Sequence, residues 1–157
     1  MSVRFQRILL PTDFSDLAAC CEPYAFELAK TFDAQLHCLH VVDEAYQYWS
    51  TMGPESMPIG PPPAELLAMG RLRMERFASE HFGGLKRPAI TEVTLGRPFA
   101  EIIAYARANS IELIVMATHG RGALVHMLLG STTEKVVRKA PCAVLTVRPT
   151  GHQFVHP

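Results

Sequence analysis

The segment from Glu112 to Gly122 reads ELIVMATHGRG, an apolar run that passes directly into a loop with two glycines. The run is the most hydrophobic in the chain and predicts a buried β-strand over residues 112–118. At residues 130–134 the sequence GSTTE follows, where Ser131 and Glu134 have the spacing of a capping box and predict the start of a helix. The segment therefore predicts a strand, a glycine-containing loop and a helix in succession, which is typical of an α/β fold.

The same alternation of short apolar runs and helix-period stretches continues along the rest of the chain. Further strands are predicted at residues 7–11, 35–42, 89–95 and 143–147, and helices after Ser15, over residues 64–81, from Pro98 and over residues 131–139. Pro23 is predicted either to kink the first helix or to mark its true start. We therefore predict a single doubly wound α/β domain over residues 1–149, with a five-stranded parallel sheet in the order 3-2-1-4-5 and helices on both faces.

The predicted strand order fixes where a ligand would bind. In an open parallel sheet, ligands lie beyond the carboxyl ends of the strands, at the point where the strand order reverses. That point falls between the first and fourth strands, so the expected crevice is formed by residues 11–13 and 117–120.

The glycine before the last predicted helix favours anion binding in this crevice. Gly130 has no side chain to block the exposed amides of a helix start, and the hydroxyls of Ser131, Thr132 and Thr133 add donors. We expect a phosphate group there, against the alternative that Gly130 only permits a turn. Neither the P-loop nor the GxGxxG fingerprint occurs in the sequence.

Composition limits the partners that the protein can have. Of 157 residues, 48% are hydrophobic and 19% are charged, which is typical of a globular domain. Lys and Arg together number 15, as do Asp and Glu. The chain therefore lacks the excess of positive charge that would attract nucleic acids or anionic membranes. The four cysteines lack CxxC spacing and no apolar segment is long enough to span a bilayer. We expect a cytoplasmic protein that binds neither nucleic acid nor membrane.

Two segments are expected to be mobile. Residues 43–63 contain Trp49 and the run Pro61-Pro62-Pro63, and they predict a long proline-rich loop that is either a functional lid or a plain insertion. Residues 150–157 predict a flexible tail.

Several stretches of the chain resemble the universal stress protein family. The family's nucleotide motif, G-x2-G-x9-G-[ST], is matched by Ala117, Gly120, Gly130 and Ser131, with alanine in place of the first glycine. The likeness extends to ILLPTDFS at residues 8–15, LHVVD at 39–43, ELIVMATHGRG at 112–122 and LLGSTTEKVVRKAPCAVLTVR at 128–148. It covers nearly the whole chain apart from the proline-rich loop and the tail.

The resemblance implies that the chain binds an adenine nucleotide with Mg²⁺; ATP is favoured, with ADP and AMP as alternatives. The adenine and ribose end would be lined by Pro11, Thr12, Asp13 and Val41, and the floor by Met116 and Ala117. The phosphates would be held by backbone amides and hydroxyls of Gly120, Gly130, Ser131, Thr132 and Thr133. Asp13 would face either the metal ion or the ribose hydroxyls, and we favour the ribose.

His119 and Arg121 are also candidate binding residues, and they and two of the residues above have structural alternatives. Asp13 could instead form an Asx turn with local amides, and Val41 would belong to the core with or without a ligand. His119 would contact phosphate or be an ordinary loop histidine. Arg121 would pair with the terminal phosphate or remain a solvated charge.

The resemblance thus implies a stress-response or regulatory protein that acts through nucleotide-dependent conformation or partner binding. We expect no catalytic residue, since no base is placed to activate water, and at most weak ATP hydrolysis. His37 and His40 are predicted on opposite faces of a strand, which argues against a shared metal ion.

The rival functions are a slow Mg-dependent ATPase or phosphotransferase, and a dimeric scaffold without nucleotide. A homodimer is expected through the edge strand Ala143 to Val147, the usual dimer contact of the family.

Overall fold

Five parallel strands form one sheet in the order 3-2-1-4-5, which confirms the predicted topology. The computed structural model describes residues 3–43, 61–119 and 130–149. In this part of the chain the strands are β1 (Arg7–Pro11), β2 (Gln35–Asp43), β3 (Ile90–Gly96), β4 (Leu113–Ala117) and β5 (Ala143–Val147). The helices are α1 (Asp16–Ala19), α2 (Glu22–Phe32), α3 (Pro63–Phe82), α4 (Pro98–Ala108) and α5 (Ser131–Lys139).

Successive strand residues point to opposite faces of the sheet, and each face has its own apolar cluster. The larger cluster is covered by α2 and α3 and includes Leu10 and Met74. The smaller cluster is covered by α4 and α5 and includes Leu9 and Val136. Helices on both faces are therefore confirmed, and each strand of the sheet centre is buried on two sides.

Proline determines where several of these helices begin. The first predicted helical stretch is divided in two: α1 ends at Ala19, α2 begins at Glu22, and Pro23 stands in the first turn of α2. Of the two alternatives for Pro23, the helix start is therefore confirmed. Pro98 opens α4 as predicted, because its missing N–H would have no partner at that position in any case.

The first and last residues of the predicted loop over residues 43–63 belong to regular structure. Asp43 is the last residue of β2, and Pro63 is the first residue of α3. Residues 44–60 and the predicted tail over residues 150–157 lie outside the described residues.

The two edges of the sheet are β3 and β5, as the predicted order requires. β5 pairs with β4 from Leu113↔Ala143 to Ala117↔Val147. No helix within the described ranges is both long and apolar enough to cross a bilayer.

Candidate functional site

The crevice at the carboxyl ends of β1 and β4 is the point where the strand order reverses. The two strands are neighbours in the sheet, with Ile8 opposite Leu113 and Leu9 opposite Ile114. After β1 the chain passes to the face covered by α2, whereas after β4 it passes to the face covered by α5. Because the two connections leave in opposite directions, the strand ends open between them.

The turn from Thr12 to Ser15 forms one side of this crevice. The Thr12 N–H donates to the Leu39 carbonyl oxygen at 2.9 Å, which fixes the turn to β2. The Phe14 N–H donates to Thr12 Oγ1 at 3.0 Å, and the Ser15 N–H donates to Asp13 Oδ1 at 2.9 Å. The Asx turn considered for Asp13 is therefore present, and it orients the carboxylate at the end of β1.

A further residue of this turn was missed by the sequence analysis. Phe14 has a left-handed backbone with φ of 58°, and its ring packs 4.5 Å from the ring of His40. His40 Nδ1 lies 2.8 Å from the Thr12 carbonyl oxygen, and since a carbonyl only accepts, Nδ1 carries the proton. The sequence offers one signal for this arrangement, a histidine near the carboxyl end of a strand that neighbours β1.

The opposite orientation of the two strand histidines is confirmed. His37 Nδ1 lies 3.0 Å from the Tyr105 hydroxyl of α4, on the other face of the sheet from Phe14. Burial, with Arg7 nearby, lowers the pKa of His37 and favours the neutral ring. Across the described ranges, no three His, Cys, Asp or Glu side chains come together to hold a metal ion.

The end of β4, predicted to form the floor of the nucleotide site, is buried in the centre of the sheet. Met116 and Ala117 are both buried, and they belong to the apolar clusters on opposite faces of the sheet. The methyl group of Ala117 belongs to the larger cluster, so it has protein neighbours of its own. Val41, predicted for the adenine end, is partly buried against the smaller cluster.

The two residues after β4 are buried and hydrogen-bonded. The Thr118 N–H donates to the Val147 carbonyl oxygen at 2.9 Å. His119 is 3% exposed, and its Nδ1 lies 3.0 Å from Thr118 Oγ1. His119 is therefore a buried residue rather than an exposed loop histidine, and its contact with phosphate stays a prediction.

The start of α5 forms the second side of the crevice and lies against the end of β4. The Gly130 N–H donates to the Thr118 carbonyl oxygen at 2.7 Å, and the Thr133 hydroxyl donates to the Ala117 carbonyl oxygen at 2.9 Å. A Cβ at Gly130 would lie 3.2 Å from the Thr118 oxygen, which is a tight contact. The glycine therefore lets the helix start approach the strand end closely.

These bonds and the N-cap residue of α5 bear on three sequence-based expectations. The Gly130 amide and the Thr133 hydroxyl already donate to the end of β4, so each would have to exchange this bond in order to donate to a phosphate. Gly130 is the N-cap residue without a side-chain cap, so the capping box with Ser131 is wrong by one residue. Glu134 instead pairs with Arg138 one turn later, at 3.0 Å. The amides of the first turn, Ser131 to Thr133, lack intrahelical acceptors and keep the role predicted for them.

The cysteines near the crevice are core residues. Burial raises the pKa of Cys21 to about 12, and it raises the pKa of Cys38 to about 12 as well. Both thiols are therefore protonated at neutral pH and are poor nucleophiles. Gly120 and Arg121, the two remaining predicted binding residues, lie outside the described residues.

An open parallel sheet with helices on both faces defines a doubly wound α/β protein. In this class of fold, ligands bind at the switch point, beyond the carboxyl ends of the strands. Residues 4–148 match the universal stress protein family. The universal stress protein MJ0531 of Methanocaldococcus jannaschii is 32% identical over 154 residues, which cover 92% of this chain and 82% of that protein. A universal stress protein of Thermus aquaticus is 34% identical over 146 residues, which cover 92% of this chain and 99% of that protein. The chain therefore belongs to the universal stress protein family.

Solved structures share the fold. The universal stress protein UspA of Lactobacillus plantarum superposes with a TM-score of 0.73 at 28% identity, covering 94% of this chain and all of the other. A family protein of Arabidopsis thaliana with AMP bound has a TM-score of 0.59 at 16% identity, covering 96% of this chain and 97% of the other. A universal stress protein in complex with cAMP has a TM-score of 0.61 at 18% identity, covering 93% of this chain and 98% of the other.

Proposed function

We propose that the protein binds an adenine nucleotide, ATP in preference to ADP or AMP, between the turn after β1 and the start of α5. The observation that carries this proposal is the attachment of α5 to the end of β4. The bond from the Gly130 N–H to the Thr118 oxygen, at 2.7 Å, places the first-turn amides at the switch point of the sheet. Amides of a helix start, together with the helix dipole, favour a phosphate at this position. The AMP and cAMP in two structures of the same fold support an adenine nucleotide as the guest.

The adenosine end of the site would lie at the turn after β1. Asp13 is oriented by its bond with the Ser15 amide at 2.9 Å, and an oriented carboxylate suits the two hydroxyls of a ribose. Pro11, Thr12 and Val41 would complete this end, and Met116 and Ala117 would form its floor. Ser131, Thr132 and the Thr133 amide would hold the phosphates, joined by Gly120, His119 and Arg121.

The donor set fits a magnesium ion that arrives with the nucleotide. Mg²⁺ is usually bound through one or two carboxylates together with substrate phosphates, and it keeps several waters. In the described part of the chain, Asp13 is the acidic residue of the predicted site, and no cluster of three ligands exists there. When bound, the ion would neutralise phosphate charge, while the protein would contribute at most the Asp13 carboxylate.

We further propose a regulatory, stress-response role in the cytoplasm, in which nucleotide occupancy changes conformation or partners. A homodimer through β5 is part of this proposal, because β5 is an edge strand and its first residue, Ala143, is exposed. Sedimentation of the purified protein over a range of concentrations tests it: a dimer mass is expected, and a monomer at every concentration would contradict it.

The binding proposal is tested by calorimetry of the purified protein with ATP and Mg²⁺, and separately with AMP, alongside mass spectrometry of any ligand that the freshly purified protein releases. We expect saturable binding of both nucleotides, tighter for ATP. If neither nucleotide binds at millimolar concentration and no adenine compound is released, the proposed nucleotide binding is wrong, and a dimeric scaffold without nucleotide is the better hypothesis. Phosphate release tests the remaining rival: fast turnover that disappears in Asp13→Ala would make the protein an ATPase.

A further inference from the structure

Phe14 stands at the meeting point of the turn after β1, strand β2 and helix α3. Its φ of 58° lies in the left-handed region, which residues with a Cβ rarely adopt. Such a conformation persists where the surrounding structure enforces it; Asp33 and Ser110 share it just after helices α2 and α4, whereas Phe14 adopts it in the turn that carries Thr12 and Asp13. The contacts that enforce it at Phe14 therefore bear on the site.

Two elements enforce the conformation. From β2, the ring of His40 packs at 4.5 Å from the Phe14 ring, and its Nδ1–H donates to the Thr12 oxygen at 2.8 Å. From α3, the guanidinium of Arg73 lies 4.4 Å from the centre of the Phe14 ring, and Phe77 packs edge-on at 5.5 Å. Arg73 Nη2 also lies 3.5 Å from the Phe14 carbonyl oxygen. Both the ring and the backbone of Phe14 are thus held from outside the turn.

The left-handed backbone in turn determines the positions of Thr12 and Asp13. The Phe14 amide bonds to the Thr12 hydroxyl, and the Ser15 amide bonds to the Asp13 carboxylate, at 3.0 Å and 2.9 Å. The two amides flank the Phe14 Cα, so a change of φ at Phe14 would move one amide relative to the other. Thr12 and Asp13 would then lose the partners that orient them.

We propose that Phe14 is a positioning residue for the nucleotide site, and that Arg73 of α3 acts on the site through it. This inference rests on the proposed function and adds a regulatory route to it: α3 is coupled to the adenosine end of the crevice. Because such coupling is reciprocal, an event that shifts α3 changes nucleotide affinity, and nucleotide binding restrains α3. Preorganisation of the turn lowers the ordering cost of binding, which is how Phe14 contributes without a ligand contact of its own.

The test compares Arg73→Ala with Arg76→Ala, which removes the same charge from an exposed position one turn further along α3. The first readout is hydrogen exchange of the Phe14 and Ser15 amides in the ligand-free protein. The second is calorimetric affinity for ATP with Mg²⁺. Loss of an exposed cation–π contact predicts about two- to fivefold faster exchange and about two- to fivefold weaker binding in Arg73→Ala. Arg76→Ala should match the wild type, and Arg73→Lys should recover part of the loss.

Phe14→Gly separates the ring from the backbone conformation. Glycine adopts the left-handed region readily but has no ring for His40, Arg73 and Phe77 to hold. We expect about tenfold weaker ATP binding, together with fast exchange of the Ser15 amide. Wild-type affinity in Phe14→Gly would overturn the inference, since the backbone conformation alone would then suffice.

The outcomes separate this inference from the proposed function. If the wild type binds ATP but Arg73→Ala leaves exchange or affinity unchanged, the coupling through Phe14 is wrong and the proposed function stands. If the wild type binds neither ATP nor AMP, the proposed function is wrong. The exchange of the Phe14 and Ser15 amides then decides by itself whether Arg73 orders the turn.

Discussion

The turn after β1 and the start of α5 face the same crevice, yet they are held by different kinds of contact. The turn is held by side chains from elsewhere in the sequence, above all His40 and Arg73 around Phe14. The helix start is held by two bonds to carbonyl oxygens of β4 and its following residue, and the key feature is a missing side chain at Gly130. Nucleotide binding should therefore be sensitive to the removal of side chains around the turn after β1, and to added side-chain volume at the start of α5.

The largest effect is expected at the helix start, where Gly130→Val adds a branched side chain. Its Cβ alone would lie 3.2 Å from the Thr118 oxygen, a contact that requires a shift of a few tenths of an ångström, and the two further methyl groups of valine would crowd the first-turn amides. Calorimetry should show ATP affinity reduced about ten- to a hundredfold. Gly84→Ala, where a Cβ meets only Phe26 at an ordinary 3.5 Å, is a control for the loss of a glycine away from the crevice and should bind normally. Unchanged affinity in Gly130→Val would place the phosphates elsewhere.

A smaller effect is expected from the second bond that attaches α5. Thr133→Val removes the hydroxyl that donates to the Ala117 oxygen, and at a residue that is 4% exposed the loss should lower the unfolding free energy by about 1–2 kcal/mol. Urea denaturation measures this change. Thr132→Val, which alters a half-buried threonine of the same turn, should leave the unfolding midpoint nearly unchanged. An equal loss of unfolding free energy in both variants would show that the bond from Thr133 to the Ala117 oxygen does not contribute to stability.

The smallest effect on binding is expected at Ala117, where the family motif has glycine. Because the methyl group belongs to the larger apolar cluster, Ala117→Gly should leave ATP affinity within about twofold. Stability should fall by about 0.5–1 kcal/mol, since glycine in a strand loses more conformational freedom on folding. A gain of tenfold or more in affinity would instead mean that the alanine crowds the nucleotide.

The sequence predicted the elements of the fold because they depend on local pattern. Apolar runs placed all five strands within a residue or two of their observed bounds, and Pro98 marked its helix start. The strand order followed from alternation and handedness. Gly130 was also found from sequence, because a glycine before a helix is a local signal.

The bonding of the site could not be predicted in the same way. The contact between His40 and Thr12 joins residues 28 positions apart, and it depends on the register of β1 against β2. The left-handed conformation of Phe14 depends on side chains of α3, about sixty positions further along the chain. The Gly130 amide appeared available for phosphate because its partner, the Thr118 oxygen, is supplied by tertiary structure. Local pattern thus located the site, whereas long-range packing decided which of its atoms are already engaged.

The bond between the Gly130 amide and the Thr118 oxygen also has a consequence for the conformational entropy of the chain. It brings the two ends of the intervening segment to within 2.7 Å of each other, so the segment leaves and re-enters the fold at one point. Closing a longer loop between fixed ends costs little, about 0.6 kcal/mol for each doubling of its length. The bonds of Gly130 and Thr133 therefore set where this loop closes, because they join the helix start to the strand end directly.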